Sequence, residues 1–240
     1  MGGYFIRFFA WAKANKLLAV VYVVSSLLFL QYLALPNNSL QSLRKKNPER
    51  TALMLQRVNE VESLGKRFAI KQRWIPLSKI STHLVHAVIV SEDGTFYSHE
   101  GVDWYEVEES IMKNIKKGKT ARGASTISQQ LAKNLYLSTS KDFLRKFKEL
   151  VITLRMERTL SKRRILEIYL NVIEWGDGIF GAEAASQKYF GKPALLLTRD
   201  EAALLAAVIP NPRRYKPDSP SLYVSHRVSV ILDRMTARGY

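Results

Sequence analysis

The sequence contains no cysteine, which excludes disulfides, zinc–thiolate sites and thiol catalysis without fixing the compartment. Acids are the next scarcity: 21 Asp and Glu stand against 37 Lys and Arg, a formal net charge of +16. A chain so cationic calls for an anionic partner, and three classes fit: nucleic acid, an anionic membrane surface, or a phosphorylated substrate. Histidine is scarcer still, with four residues. His83 and His86 stand at i, i+3, but without HExxH spacing or a third ligand they read as structural histidines, and no metal site is legible. Internal repeats and low-complexity tracts are also missing, and 240 residues suit one main domain with appendages.

One stretch has no charge at all. Leu17 to Leu35, LLAVVYVVSSLLFLQYLAL, runs 19 positions without an ionisable acid or base. A helix of that length, at about 1.5 Å per residue, reaches roughly 28 Å, close to a bilayer core of about 30 Å. Arg7, Lys13 and Lys16 precede it, which predicts a cytoplasmic N-terminus. Arg44, Lys45 and Lys46 follow it, but a long domain is translocated largely regardless of its charge. The run is long for a cleaved signal peptide and lacks a small-x-small exit. The expected organisation is a cytoplasmic N-terminus over 1–16, a transmembrane helix over 17–35, a membrane-proximal connector over 36–73 and the main domain over 74–240. Such an anchor sets nucleic acid aside as a partner.

The main domain reads as predominantly α with a small β element. HLVHAVIV, residues 83–90, fits either a strand, from its β-branched content, or one helix face, from Leu84, Val85, Val88 and Ile89. Residues 113–122 form a basic loop. Ile127, Leu131 and Leu135 then predict a helix with Ser125 near its start. Over 141–160, Phe143, Phe147, Leu150, Val151 and Leu154 make a stripe at helical spacing, expected to face the core. KRRILEIYLN and AEAASQKYF predict two more helices, the second stopped by Gly191 as a C-cap. Thr198 to Glu201 forms a capping box before EAALLAAVI, and a last helix covers 221–236.

An apolar run ends in paired acids at VIVSEDGTFYSHEG, residues 88–101. By itself this reads equally as a polar loop whose acids cap a neighbouring helix. Three further blocks change the weighing. EDGTFYSHEGVD (92–103), GASTISQQLAKN (123–134), RKFKE (145–149) and RRILEIYLN (163–171), followed by GIFGAEAASQKYFGK, occur in this order. They are similar to the ordered motifs of the peptidoglycan glycosyltransferases, the family of monofunctional transglycosylases and of the N-terminal domains of class A penicillin-binding proteins. One block is weak evidence; four in order are strong.

The resemblance implies a mainly helical, lysozyme-like domain with a small secondary lobe. It implies an enzyme that polymerises lipid II into β-1,4 glycan strands, inverting the donor anomeric carbon and releasing undecaprenyl diphosphate. A sugar hydroxyl is a poor nucleophile, so a carboxylate must accept its proton, a step worth about 10²–10⁴-fold. The resemblance gives that role to Glu92, with Asp93, Phe96 and His99 shaping the first-motif loop. The diphosphate leaves as an anion and needs cations rather than an acid: Lys133, Lys141, Arg145 and Lys148 are the candidates. Ser125, Thr126, Gln129 and Gln130 would contact diphosphate and sugar. At 141 relatives often carry Arg, and Lys lacks its bidentate fork. Ala124 and Ser128 replace a glycine and a threonine of the pattern.

Glu149 sits about 140° from the Phe143–Leu154 stripe, so alone it reads as a solvated face paired with Arg145. The resemblance instead puts it in the catalytic cleft, assisting at the donor. Trp104, Tyr105, Trp175 and Phe180 suit packing more than sugar stacking. No cofactor is required, although a divalent cation would help neutralise the diphosphate. Expected partners are lipid II, the growing lipid-linked glycan, membrane lipid, and cell-wall synthesis or division proteins. The expected location is the bacterial cytoplasmic (inner) membrane, single-pass, with the domain on its outer face. The chain leaves no room for a transpeptidase domain, so the reading is monofunctional. Two rivals remain: a lytic or hydrolytic glycosidase, which needs an acid and little clustered positive charge, and a non-catalytic basic scaffold, which Glu92→Gln would leave intact and high salt would abolish.

Overall fold

The computed structural model describes residues 11, 15–33, 36–117, 125–140 and 142–240. The chain divides into two units, Met1–Asn37 and Asn38–Tyr240. In the first, helix α1 spans Lys16–Leu33, and Leu17, Leu18, Val20, Val21, Val23 and Val24 are all exposed. An apolar surface on every side is unusual for a helix in water. Among the described residues no helix is long and apolar enough to cross a membrane; positions 34 and 35, the end of the expected span, lie outside those residues.

The second unit begins within the stretch expected as a connector. Helix α2 (Asn37–Ser42) leads to buried Leu40 and Leu43, and α3 (Ala52–Glu62) opens on Thr51, whose hydroxyl accepts from Met54 N–H. The unit draws these residues in by long-range bonds: Arg164 donates to Leu43 O at 2.8 Å, Arg44 to Thr159 O at 2.8 Å, and Gln56 to Thr139 Oγ1 at 2.7 Å.

A three-stranded sheet is the only β structure among the described residues, apart from one isolated bridge. Strand β1 (Lys71–Gln72) runs parallel to β3 (Ile179–Phe180), and β2 (Glu174–Gly176) runs antiparallel to it. Gly181 follows at φ +81, where an added Cβ would meet Asn171 O at 2.6 Å, so only glycine fits the turn.

The ambiguous stretch is helical: α4 covers Thr82–Glu92 and buries Leu84, Ala87, Val88, Ile89 and Val90. Its β-branched content is overridden because a helix satisfies its own backbone groups in a dry interior. It packs against α10 (Arg199–Val208) and α11 (Leu222–Ala237). Between lie α5 (Trp104–Lys117), α6 (Ile127–Tyr136), α7 (Phe143–Thr159), α8 (Lys162–Val172) and α9 (Ala182–Phe190). Gly191 caps α9 in the left-handed region, and Thr198 and Glu201 form the expected capping box.

The stripe on α7 is the main correction. Phe143 is 81% exposed and Leu154 is also exposed, whereas Ile152, Thr153 and Met156 are buried together with Glu149. The core-facing row is therefore 149, 152, 153, 156, at helical spacing, and the more apolar row lies opposite it, exposed at Phe143 and Leu154 and half-buried at Phe147, Leu150 and Val151.

Candidate active site

Glu92 is the last residue of α4, and both of its carboxylate oxygens are engaged. Gln130 on α6 donates from Nε2 to Oε2 at 2.9 Å, and Ser91 Oγ donates to Oε1 at 3.1 Å. The Gln130 amide is itself fixed, because Tyr169 on α8 donates its hydroxyl to Oε1 at 2.8 Å. Burial first, then the nearby Glu92 and Asp93, push the Tyr169 phenol well above its ordinary range, so it stays a donor. A third contact comes from α11: Arg227 Nη2 lies 3.5 Å from Glu92 Oε1. Neither Tyr169 nor Arg227 is singled out by the sequence. The Tyr169 signal lay in the fourth motif; Arg227 had none.

Asp93, Phe96 and His99 build the loop after Glu92. Asp93 Oδ2 accepts from Ile127 N–H at 2.9 Å, pinning the loop to the start of α6. His99 Nδ1 accepts from Gly101 N–H at 3.0 Å, which puts the ring proton on Nε2, 2.9 Å from Asp93 Oδ1. Phe96 is fully buried, with the Lys162 ammonium 4.6 Å from its ring centroid. Asp103 closes the loop. Burial would raise its pKa, but the Thr95 hydroxyl and Glu106 N–H outweigh that and hold it below the usual range.

The second motif serves two purposes. Thr126 and Gln129 are buried and form a capping box for α6, and Thr126 Oγ1 donates to Gly101 O at 2.7 Å. These two side chains build the start of the helix, and Gln130 holds Glu92. Ser125 alone of the four is tied to the third motif, accepting from Lys146 Nζ at 3.3 Å.

Glu149 is 3% exposed. Arg145 donates to its Oε2 at 2.5 Å, and Lys146 donates to Oε1. Lys146 was not among the expected cations; its signal was the R-K-x-x-E spacing itself. Lys148, which was, acts on Asp142 at the N-cap of α7. The Ser140 hydroxyl bond, the Arg145 N–H, and then the charges of Arg145 and Lys148 hold the Asp142 carboxyl low. Lys141 lies outside the described residues.

Lys133 feels the charge of both carboxylates. Burial lowers its pKa; Glu149 and Glu92 act to raise it, while Arg145 and Lys146 lower it further. Its ammonium thus lies in the field of both acids and of the third-motif cations, and among the described residues none accepts a hydrogen bond from it. Four helices, α4, α6, α7 and α8, bring together two carboxylates, three cations and a fixed amide. This set suits proton removal beside a departing anion.

Elsewhere, Trp175 and Phe180 are fully buried, whereas Trp104 and Tyr105 are exposed. His86 stacks on Tyr240 with ring centroids 3.8 Å apart. Among the described residues no group of three or more His, Asp or Glu could hold a metal ion.

The sequence pattern of the transglycosylase family matches residues 58–236. A biosynthetic peptidoglycan transglycosylase of Herminiimonas arsenicoxydans is 46% identical over 189 residues, 79% of this chain and 82% of the relative. One from Janthinobacterium sp. (strain Marseille) is 47% identical over 191 residues, 80% of this chain and 83% of the relative. One from Rhodospirillum centenum (strain ATCC 51521 / SW) is 54% identical over 166 residues, 69% and 71% respectively. Most of the second unit, the candidate site included, lies within residues 58–236, and the chain belongs to the transglycosylase family.

Proposed function

We propose that this chain polymerises lipid II into β-1,4 glycan strands at the bacterial cell envelope, with Glu92 as the general base. The observation that carries this reading is the Glu92 carboxylate, held by Gln130, acting on the same Lys133 charge as the buried Glu149 with its Arg145 and Lys146. Glu92 takes the proton of the acceptor 4-hydroxyl. The oxygen then forms a bond to the donor anomeric carbon from the face opposite the diphosphate, inverting it. The C1–O bond breaks and its electron pair leaves with the undecaprenyl diphosphate. Lys133, Arg145 and Lys146 offset the charge that builds on the leaving group, with Lys141 as a further cation and Glu149 holding Arg145 and Lys146 in place. A divalent cation carried on the diphosphate would add to this without a protein cage. A hydrolase would need a carboxylic acid aimed at the leaving oxygen; the cation-rich surroundings of Lys133 favour transfer.

Helix α1 and residues 34–35 form the single-pass anchor in this proposal, with the N-terminus cytoplasmic and the domain on the outer face, where lipid II presents its headgroup. Support comes from the exposed apolar residues. Trp104, Tyr105, Ile111, Met112 and Ile115 share one face of α5, and Phe143 and Leu144 open α7; apolar rows of this kind suit a headgroup layer. The lysozyme-like architecture with a small second lobe belongs to the same proposal.

The test is incubation of the detergent-purified chain with labelled lipid II, resolving products by size. A ladder of glycan polymer is expected. Loss of pre-formed glycan with no polymer from lipid II would replace this reading by a hydrolytic one.

A further inference from the structure

The last helix grips the end of α4 that presents Glu92. Arg227, Arg234 and Arg238 stand at i, i+7 and i+11, within about 20° of one line along a helix. Arg227 Nη2 donates to Ser91 Oγ at 2.9 Å, Arg234 Nη1 to Val90 O at 3.2 Å, and Arg238 Nη1 to Gly94 O at 2.6 Å. Carbonyls in the last turn of a helix lack intrahelical donors, and these arginines supply two donors around it. A Cβ at Gly94 would meet Arg238 Nη2 at 2.7 Å, so the glycine admits the guanidinium.

Of the three, only Arg227 reaches the carboxylate. Its side chain is 26% exposed and that of Glu92 is 11% exposed, so the pair is not a solvated surface contact of little consequence. Ser91 Oγ accepts from Arg227 and donates to Glu92 Oε1, closing a triangle on one oxygen while Gln130 holds the other. Both contacts come from one nitrogen, Nη2, and α11 is itself fixed by buried Val224, Ile231 and Met235.

We propose that Arg227 is a positioning residue for polymerisation: with Ser91 it fixes the Glu92 carboxylate in the orientation that accepts the proton of the sugar hydroxyl. This rests on the reading of Glu92 as the base. Arg227 acts on the base and not on bound lipid II, so its loss lowers kcat and spares KM.

The test compares Arg227→Gln, Arg227→Lys, Ser91→Ala and the double variant Ser91→Ala/Arg227→Gln in the full chain, with labelled lipid II and a thermal unfolding curve for each. Arg227→Gln should lower kcat about 10- to 100-fold with KM changed less than about twofold. Arg227→Lys should recover most of the loss. The double variant should lose less than the product of the single losses, because both groups act on one oxygen. An unchanged kcat, a rise in KM alone, a Lys variant no better than Gln, or fully multiplicative losses would each overturn the proposal. If Arg227→Gln does not fold, Ser91→Ala carries the test: a fall in kcat at constant KM supports the proposal, and wild-type kcat overturns it. Glu92→Gln run in parallel separates the two levels. Polymerisation by that variant removes the base reading, whereas an inactive Glu92→Gln beside a fully active Arg227→Gln removes only the positioning role.

Discussion

Glu92 and Glu149 act on the same ammonium, yet the fold holds them by different means. Glu149 is held from within its own helix, by Arg145 at i−4 and Lys146 at i−3. Glu92 is held from three other helices, by Gln130 and behind it Tyr169, and by Arg227. Glu149 and its cations therefore form a unit that one helix can carry. Glu92 has its geometry only when α6, α8 and α11 are docked. A group that must meet a hydroxyl at hydrogen-bond distance gains from such outside bracing; a group that keeps two cations beside a diffuse anion needs less of it.

That contrast orders the expected effects. The largest is at Lys133, the group common to both sides: Lys133→Met should cost about 10²–10³ in kcat, the scale of a lost charge-stabilising donor. Because burial lowers its pKa, the wild-type ammonium should lose its proton, and the enzyme its activity, at a pH below the ordinary lysine value of about 10.4. Lys133→Arg should move that alkaline limb upward, and an unmoved limb would detach Lys133 from catalysis. Next comes Arg145→Ala, which removes one of the two local partners of Glu149. A loss of about tenfold in kcat is expected, with a stability cost of about 1–3 kcal/mol, since Oε2 of the buried acid loses its partner while Lys146 still holds Oε1. Thermal unfolding beside rate measurements checks both.

Smaller effects belong to the scaffold around the first-motif loop. Gly101 has φ +94, and a Cβ there would meet Thr153 Cγ2 at 2.8 Å and Glu157 Cγ at 2.9 Å. Gly101→Ala should therefore cost about 1–3 kcal/mol, read as a Tm several degrees lower. Thr126→Ala removes the α6 cap and its bond to Gly101 O, for about 1 kcal/mol. Calorimetry beside rate measurements separates the loss of stability from any loss of rate.

The same contrast explains what was legible in the sequence. The Arg145–Glu149 pair follows from i, i+4 spacing, and the caps at Thr198 and Gly191 follow from local chemistry. Helix α4 was ambiguous because its burial on nearly every side erases periodicity. The α7 stripe misled because an apolar row was assumed to face the core, while the buried row carries Glu149 and Thr153. The burial of Thr126 and Gln129 in a capping box is a tertiary fact that no spacing reports. Arg227 was invisible, lying 136 positions from its partner Ser91.

The most direct measurement is a single-turnover experiment on Glu92→Gln loaded with lipid II, with binding and bond formation followed separately. Binding should persist within a few-fold while polymerisation falls by about 10²–10⁴. Glycan formed at the wild-type rate by that variant would contradict the account.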